Sequence, residues 1–243
     1  MTAPDARPSY TVVPAGADFR PGDPAAPWAV APALAVDHYL WLDNGYRPPV
    51  EARLCWTPRF LYVRFRVGEK RVRVRYTKFQ DPVYKDSCVE FFVDMFPGKG
   101  LGYVNFETNA AGTLLAAFGP DRSRRKPLWP EDLAEFEAAS SIRGPVEGPH
   151  GAGDWTLEYR IPLSLFRKLY GGEIVSGHTA RANFYKWRRD RGRPLRCLEP
   201  GRDPGARFPQ ARVLRRARLR LRPVGIAERL RYNADLMTGR RVH

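Results

Sequence analysis

Cysteine is scarce in this chain of 243 residues. Cys55, Cys88 and Cys197 are odd in number, far apart and never part of a CxxC pair. That pattern excludes a zinc ribbon, a thioredoxin-type centre and a disulfide framework, and leaves reduced thiols. Histidine is as sparse, and His38, His150, His178 and His243 are scattered without metal-ligand spacing. No run approaches the roughly 18 apolar residues of a membrane-spanning helix. The opening MTAPDARPSYTVVPAG has no basic stretch leading into an apolar one, so no secretory signal is expected and a cytoplasmic location follows. HExxH, GxSxG, GxGxxG and GxxxxGK followed by Ser or Thr are all absent. Gly98-Lys99-Gly100 resembles a phosphate loop only faintly, because no Ser or Thr follows and its setting is a hairpin turn.

Acidic residues are also in deficit: 26 Asp and Glu face 41 Lys and Arg, for a net charge of +15. Such a surplus serves nucleic acid, anionic glycans or membrane surfaces, or else solvates a sheet. The arginines here mostly alternate with core-type residues and form no tail, which favours the last reading. The densest region, Arg181 to Arg222, holds fourteen arginines against Asp190, Glu199 and Asp203. It keeps a nucleic-acid or polyanion binder as an alternative, although only Trp187 and Phe208 interleave there as stacking rings.

What the chain has in quantity is alternation. Tyr10–Val13 is a short apolar run. Ala52, Leu54 and Trp56 alternate with polar or small residues, as do Leu61, Val63, Phe65 and Val67, then Val72, Val74 and Tyr76. Each reads as a half-buried strand with a basic outer face. Further runs at Thr113–Phe118, Trp155–Ile161, Ala180–Trp187 and Ala217–Leu221 follow the same period. Leu133–Ala139 fits a helical turn or a strand, and Gly144–Gly153 reads as a loop. Pro162 opens a short helix carrying Leu163, Phe166, Leu169 and Tyr170, stopped by Gly171-Gly172. Arg188–Phe208 is a long Gly-, Pro- and Arg-rich loop, and Gly225–Thr238 reads as a terminal helix. The sum is an all-β antiparallel sandwich, jelly-roll-like, over residues 1–223, with one or two peripheral helices and a helical extension over 224–243.

The stretch Asp81–Gly119 carries more chemistry than a plain sheet needs. Val89, Phe91, Val93 and Met95 share one face of a strand, and Glu90, Phe92 and Asp94 the other. In the next strand Val104 and Phe106 oppose Tyr103, Asn105, Glu107 and Asn109. If Met95 pairs with Gly102, Glu90 falls opposite Glu107 and Phe92 opposite Asn105, whereas a one-residue slip destroys the arrangement. Two carboxylates facing each other across a sheet repel, so one must gain a proton or a cationic neighbour. Arg181 and the sheet arginines are candidates for that neighbour, and the basic run Asp121–Pro127 reads as a solvated loop. A retaining glycosidase holds its two carboxylates about 5–5.5 Å apart, which keeps a glycan-active hydrolase as an alternative. Ligand hydroxyls, an arginine or calcium resolve the same repulsion without catalysis. Cys88 lies beside the carboxylates but has no nearby histidine to activate it. Tyr84, Phe92, Tyr103, Tyr185, Trp187 and Phe208 are the aromatics near these faces, and rings beside Glu and Asn are what sugar recognition needs.

Several of these segments, in order, resemble carbohydrate-binding module family nine and its stand-alone relatives. They are Tyr62-Val63-Arg64-Phe65, Lys85-Asp86-Ser87-Cys88-Val89-Glu90-Phe91-Phe92, Tyr103 to Thr113, Trp155 to Pro162, and Asn183-Phe184-Tyr185-Lys186. The resemblance runs from about Val50 to Leu221. It implies a β-sandwich related to the DOMON group that holds a mono- or oligosaccharide between two aromatic rings. It also implies a structural calcium like that of xylanase-linked modules; an axial Met/His pair for haem is not evident. By position, Tyr84 resembles one ring of the clamp and Glu90 the hydrogen-bonding glutamate, with Asn105, Glu107 and Asn109 on the strand that adds contacts. Glu107 stands where the family often has Arg. The second ring belongs to the loop before the last strand, where Phe208-Pro209 or the nearer Trp187 would serve. The resemblance implies a non-catalytic saccharide binder; no attached catalytic domain is expected, so a xylanase-tethering role is not assumed, and an acidic sugar is a secondary expectation from the arginine excess.

Overall fold

The computed structural model describes residues 9–39, 47–149, 153–187 and 213–221. Chain order runs β1 (Ser9–Pro14), β2 (Leu34–Ala35), β3 (His38–Tyr39), β4 (Val50–Trp56), β5 (Phe60–Val67), β6 (Arg71–Val74), β7 (Cys88–Asp94) and β8 (Tyr103–Asn109). It continues with β9 (Leu114–Gly119), β10 (Lys126–Pro127), β11 (Glu137–Ser140), β12 (Val146–Pro149), β13 (Trp155–Pro162), α1 (Leu163–Tyr170), β14 (Thr179–Trp187) and β15 (Val213–Leu221). One layer has the order β10-β9-β8-β7-β14-β15, and the other β4-β5-β13-β11. The all-β sandwich expected from alternation is what the chain forms. The layers are antiparallel within themselves, but β1 joins them by two parallel pairings: Ser9–Val12 lie beside Arg218–Leu221, and Val13 and Pro14 beside Cys55 and Trp56.

The apolar half of each alternation meets between the layers. Val89, Phe91 and Val93 of β7, Val104 and Phe106 of β8, and Ala182 and Phe184 of β14 pack with Val63, Phe65, Leu157 and Tyr159 of β5 and β13. Ring contacts cross the layers, as between Phe65 and Phe184 (centroids 6.1 Å apart) and between Phe106 and Phe136 (6.3 Å). Helix α1 buries Leu163, Leu165, Phe166 and Tyr170 against this core and ends at Gly171, whose φ of 61° is left-handed. Lys99 of the phosphate-loop lookalike is a cap for that helix, its Nζ donating to Tyr170 O at 2.7 Å and Gly171 O at 2.8 Å.

The two outer faces differ. That of β4 and β5 is partly covered by the chain's own N-terminal segment, where Phe19 stacks on Tyr62 with centroids 3.9 Å apart and Trp28 is buried beside it. Its arginines are matched by carboxylates, mostly across strands, contrary to the expectation of a simply basic face. Arg64 pairs with Glu158, Arg66 with Asp154, Arg160 with Glu137 and Arg53 with Glu51. Gly144–Gly153, expected as loop, contains β12, which pairs with β6. Four residues including Gly148 and Pro149 are too short and too turn-like to reveal a strand by period. Of the two forms open to Leu133–Ala139, the strand is the one it contains, as most of β11; the 3₁₀ turn Pro130–Leu133 ends at its first residue. The Arg188–Phe208 loop and the Gly225–Thr238 helix lie outside the described residues.

Candidate functional site

The site face is the outer side of β14, β7, β8 and β9. The register expected from the sequence holds: Glu90 pairs with Glu107, Phe92 with Asn105 and Val93 with Val104. Neighbouring pairings extend the rows, with Tyr185 beside Glu90, Asn183 beside Phe92, Leu115 beside Glu107 and Ala117 beside Asn105. Glu90 is 5% exposed, Glu107 4% and Asn105 not at all. Carboxylates this buried need partners, because an unpaired ion in a low-dielectric setting is costly.

For Glu107 the partner comes from an unexpected place. Arg125 Nη2 donates to Glu107 Oε1 at 3.1 Å, and Asn105 Nδ2 donates to the same oxygen at 2.9 Å. The guanidinium also lies 5.7 Å from the centre of the Phe92 ring. Burial raises the Glu107 carboxyl, while Arg125, Arg122 and Asn105 pull it back down. The basic run expected to be only a solvated loop thus sends one arginine inward. Asp121 Oδ1 accepts from Ser123 N, Ser123 Oγ and Arg124 N, and this turn aims the next residue at the sheet. A Cβ on Gly119 would stand 2.4 Å from Arg125 Cα, so the close approach depends on glycine there. Arg181, the other candidate, is exposed and pairs in register with Asp94. Burial pushes the Asp94 carboxyl up to about 6, opposed by the Phe96 N–H and by Arg181.

Asn105 has a second feature. Its Nδ2 must face the carboxylate, which only accepts, so Oδ1 points elsewhere, and it is buried with no hydrogen-bond partner. Asn109, by contrast, is committed to the fold. Its Nδ2 donates to Tyr76 O at 2.7 Å and to Asp86 Oδ2 at 3.0 Å, and its Oδ1 accepts from Ala111 N and Thr113 N. Asp86 Oδ2 also accepts from Arg75 N and Tyr76 N, each at 3.0 Å. Together these bonds pin both ends of the 76–86 loop to the end of β8. Tyr84 rides on that loop, on the 3₁₀ turn Val83–Lys85 packed against β7 and β8, and is 46% exposed. The structure therefore brings Glu90, Asn105 and Glu107 into adjacent rows with Tyr84 on a loop at the strand ends. The backbone of Trp187 pairs with Cys88, one row beyond Glu90. Phe208 lies outside the described residues.

Three further aromatics on this face are packing groups. Phe92 stacks on Tyr103 with centroids 5.4 Å apart and meets Tyr185 edge-on at 4.9 Å, and all three are buried. The Cys88 thiol is pushed well up, first by burial and then by the Glu90 and Glu107 carboxylates, so it is held as an inert thiol. Among the described residues, no three His, Cys, Asp or Glu side chains come together as a metal-ligand group, so no residue here is assigned to calcium. Among the same residues, no helix is long and apolar enough to cross a membrane. The residues missed at the sequence level are Arg125 and its enabling glycine, Gly119. Their only sequence signal is the Asp-x-Ser turn that precedes the arginine.

A β-sandwich with a polar, part-aromatic outer face is the form of a ligand-binding module. The family model of carbohydrate-binding family 9 matches residues 28–194, and the chain belongs to that family. A candidate carbohydrate-binding protein from Bacteroides uniformis is 32% identical, with a TM-score of 0.64 over 74% of this chain and 83% of that one. A family 9 module from Caldicellulosiruptor kristjanssonii, solved with cellotriose, has the same fold at 13% identity and a TM-score of 0.56, covering 90% of this chain and 95% of that one. Its counterpart solved with glucose gives 12% identity and 0.54, over 89% and 97%. A search of curated proteins finds no match.

Proposed function

We propose that the chain is a non-catalytic saccharide-binding protein whose ligand lies on the outer face of β7 and β8, against Tyr84, Glu90, Asn105 and the Glu107–Arg125 pair. The observation that carries this is the register that sets Glu90, Asn105 and Glu107 on one outer face of the sheet, away from the core, with Arg125 and Asn105 both bonded to the Glu107 carboxylate. Tyr84 supplies an exposed ring for the C–H face of a pyranose, and Glu90 accepts from its hydroxyls. Asn109 serves the site indirectly, by holding the loop that carries Tyr84. Trp187 and Phe208 are further ring candidates from the family resemblance. Membership of family 9, and neighbours solved with glucose and cellotriose, favour a neutral sugar of that kind as the first ligand to test.

Glu107 is where the family often has arginine. Here Arg125 brings a guanidinium to that position from the loop, with Glu107 as its anchor. A carboxylate oxygen tied to both Arg125 and Asn105 is suited to positioning rather than to attack or proton transfer, which favours binding over hydrolysis. Isothermal titration with glucose and cellotriose, beside a glycan array, tests the reading. Glu90→Gln and Tyr84→Ala are each expected to weaken binding by roughly tenfold to a hundredfold. Absence of saccharide binding by the unsubstituted protein, or binding by both variants equal to that of the parent, would overturn it.

A further inference from the structure

The short strand β10 and the residues after it form the free edge of the site layer. Lys126 pairs with Phe118, Pro127 with Ala117, and Leu128 N donates to Ala116 O at 2.9 Å. The reciprocal bond from Ala116 N to Leu128 O is replaced. Gln80 inserts its carboxamide there, with Oε1 accepting from Ala116 N at 3.1 Å and Nε2 donating to Leu128 O at 2.7 Å and to Ala116 O at 2.9 Å. Gln80 N also takes Leu114 O at 2.9 Å, the acceptor a continuing strand would have used, and Pro130 has no N–H to offer in any case. Gln80 does this from a backbone φ of 66°, the one left-handed non-glycine among the described residues. The chain is thereby wedged off the sheet immediately after Leu128.

The residue at that departure is Trp129, 69% exposed, the most exposed large apolar side chain among the described residues. Continuing the register of β10 puts it beside Leu115, which pairs with Glu107. Its φ and ψ of −91° and 159° are extended, and the preceding Leu128 is buried in the core. Successive side chains of an extended segment point to opposite faces, so Trp129 leaves the sheet on the side of Leu115, Glu107 and Glu90. With strands about 4.8 Å apart, the β10 edge from which it departs lies roughly 10 Å from the Glu107 strand, a span of about two pyranose rings. We infer that Trp129 is the platform of an outer subsite, taking the second or third unit of an oligosaccharide whose first unit occupies the Glu90 site. This rests on the saccharide reading above and extends it. The Trp129 backbone caps the Pro130–Leu133 turn, its N–H donating to Asp132 Oδ2 at 3.0 Å, while the indole itself is left in water on the side of the polar row.

Titration of the full chain and of Trp129→Ala and Trp129→Phe with glucose and with cellotriose tests it. Because the indole is mostly in solvent, neither variant should lose the fold, and far-ultraviolet dichroism checks this. In the unsubstituted protein cellotriose should bind more tightly than glucose. In Trp129→Ala that advantage should shrink by about tenfold, equivalent to about 1.4 kcal/mol, and Trp129→Phe should recover much of it. If cellotriose has no advantage to begin with, or Trp129→Ala keeps it in full, the outer subsite is overturned while the Glu90 site stands. If neither sugar binds, the saccharide reading itself falls and the subsite with it.

Discussion

Arg125 pairs with the buried Glu107 carboxylate and so offsets the repulsion between Glu107 and Glu90; on the saccharide reading proposed above, it also offers its guanidinium to the ligand. Removing it leaves a buried carboxylate without its cation. Arg125→Ala is therefore expected to raise the Glu107 pKa further and to weaken saccharide binding by roughly tenfold or more. Gly119→Ala should mimic it, since the added Cβ would meet Arg125 Cα at 2.4 Å and drive the loop outward. Parallel titrations of the two variants check this; a Gly119→Ala protein that binds like the parent would contradict the account of the loop. Asp94 gives an independent residue-scale test. Its folded pKa, about 6, lies above the ordinary 3.8, so the folded state holds the proton more tightly than the unfolded chain does. Its contribution to stability is thus present below about pH 4 and lost as pH rises to about 6. Asp94→Asn should flatten the pH dependence of the unfolding midpoint across that window and leave the protein more stable than the parent at pH 7. Of these residues, the sequence made Glu90, Asn105 and Glu107 legible, because polar groups recurring with period two against an apolar face mark one side of a strand. Arg125 was not legible, since its contact depends on where a loop returns.

Among the elements, the 76–86 loop ties the site together. Asp86 and Asn109 fasten it to the end of β8, Tyr84 is displayed from it, and Gln80 wedges the chain after β10 away from β9. Its turn character is visible in the sequence, but the insertion of a side-chain amide into a backbone ladder has no local signal. Trp129 is hard to read for a related reason: it sits outside every alternating run, and an aromatic before proline carries no period of its own. Between the layers, Lys186 of β14 and Glu69, just beyond β5, form a buried ion pair at 3.0 Å, and Trp155 Nε1 of β13 donates to the same Glu69 oxygen at 3.1 Å. Removing one member of such a pair strands the other charge. Lys186→Ala should cost about 3–5 kcal/mol in denaturant unfolding, and a loss below about 1 kcal/mol would show that the pair does not lock the layers.

At the scale of the whole molecule, the two layers allot their outer faces to different ends. One is cross-paired by acids and partly covered by the N-terminal segment, and the other keeps buried polar groups facing outward from the core. The sandwich was legible because each strand is apolar on one side only, and such patterns admit few layer arrangements. The parallel bridging by β1 was not, because a six-residue run cannot declare which two partners it will join. The most direct test of the central claim maps the ligand onto these faces. Assigned amide spectra recorded during titration with cellotriose should move at Tyr84, Glu90, Asn105, Glu107 and Arg125, and remain still at Arg64, Thr156 and Glu158 on the opposite layer. Shifts centred on the opposite layer, or none at saturating sugar, would contradict the account.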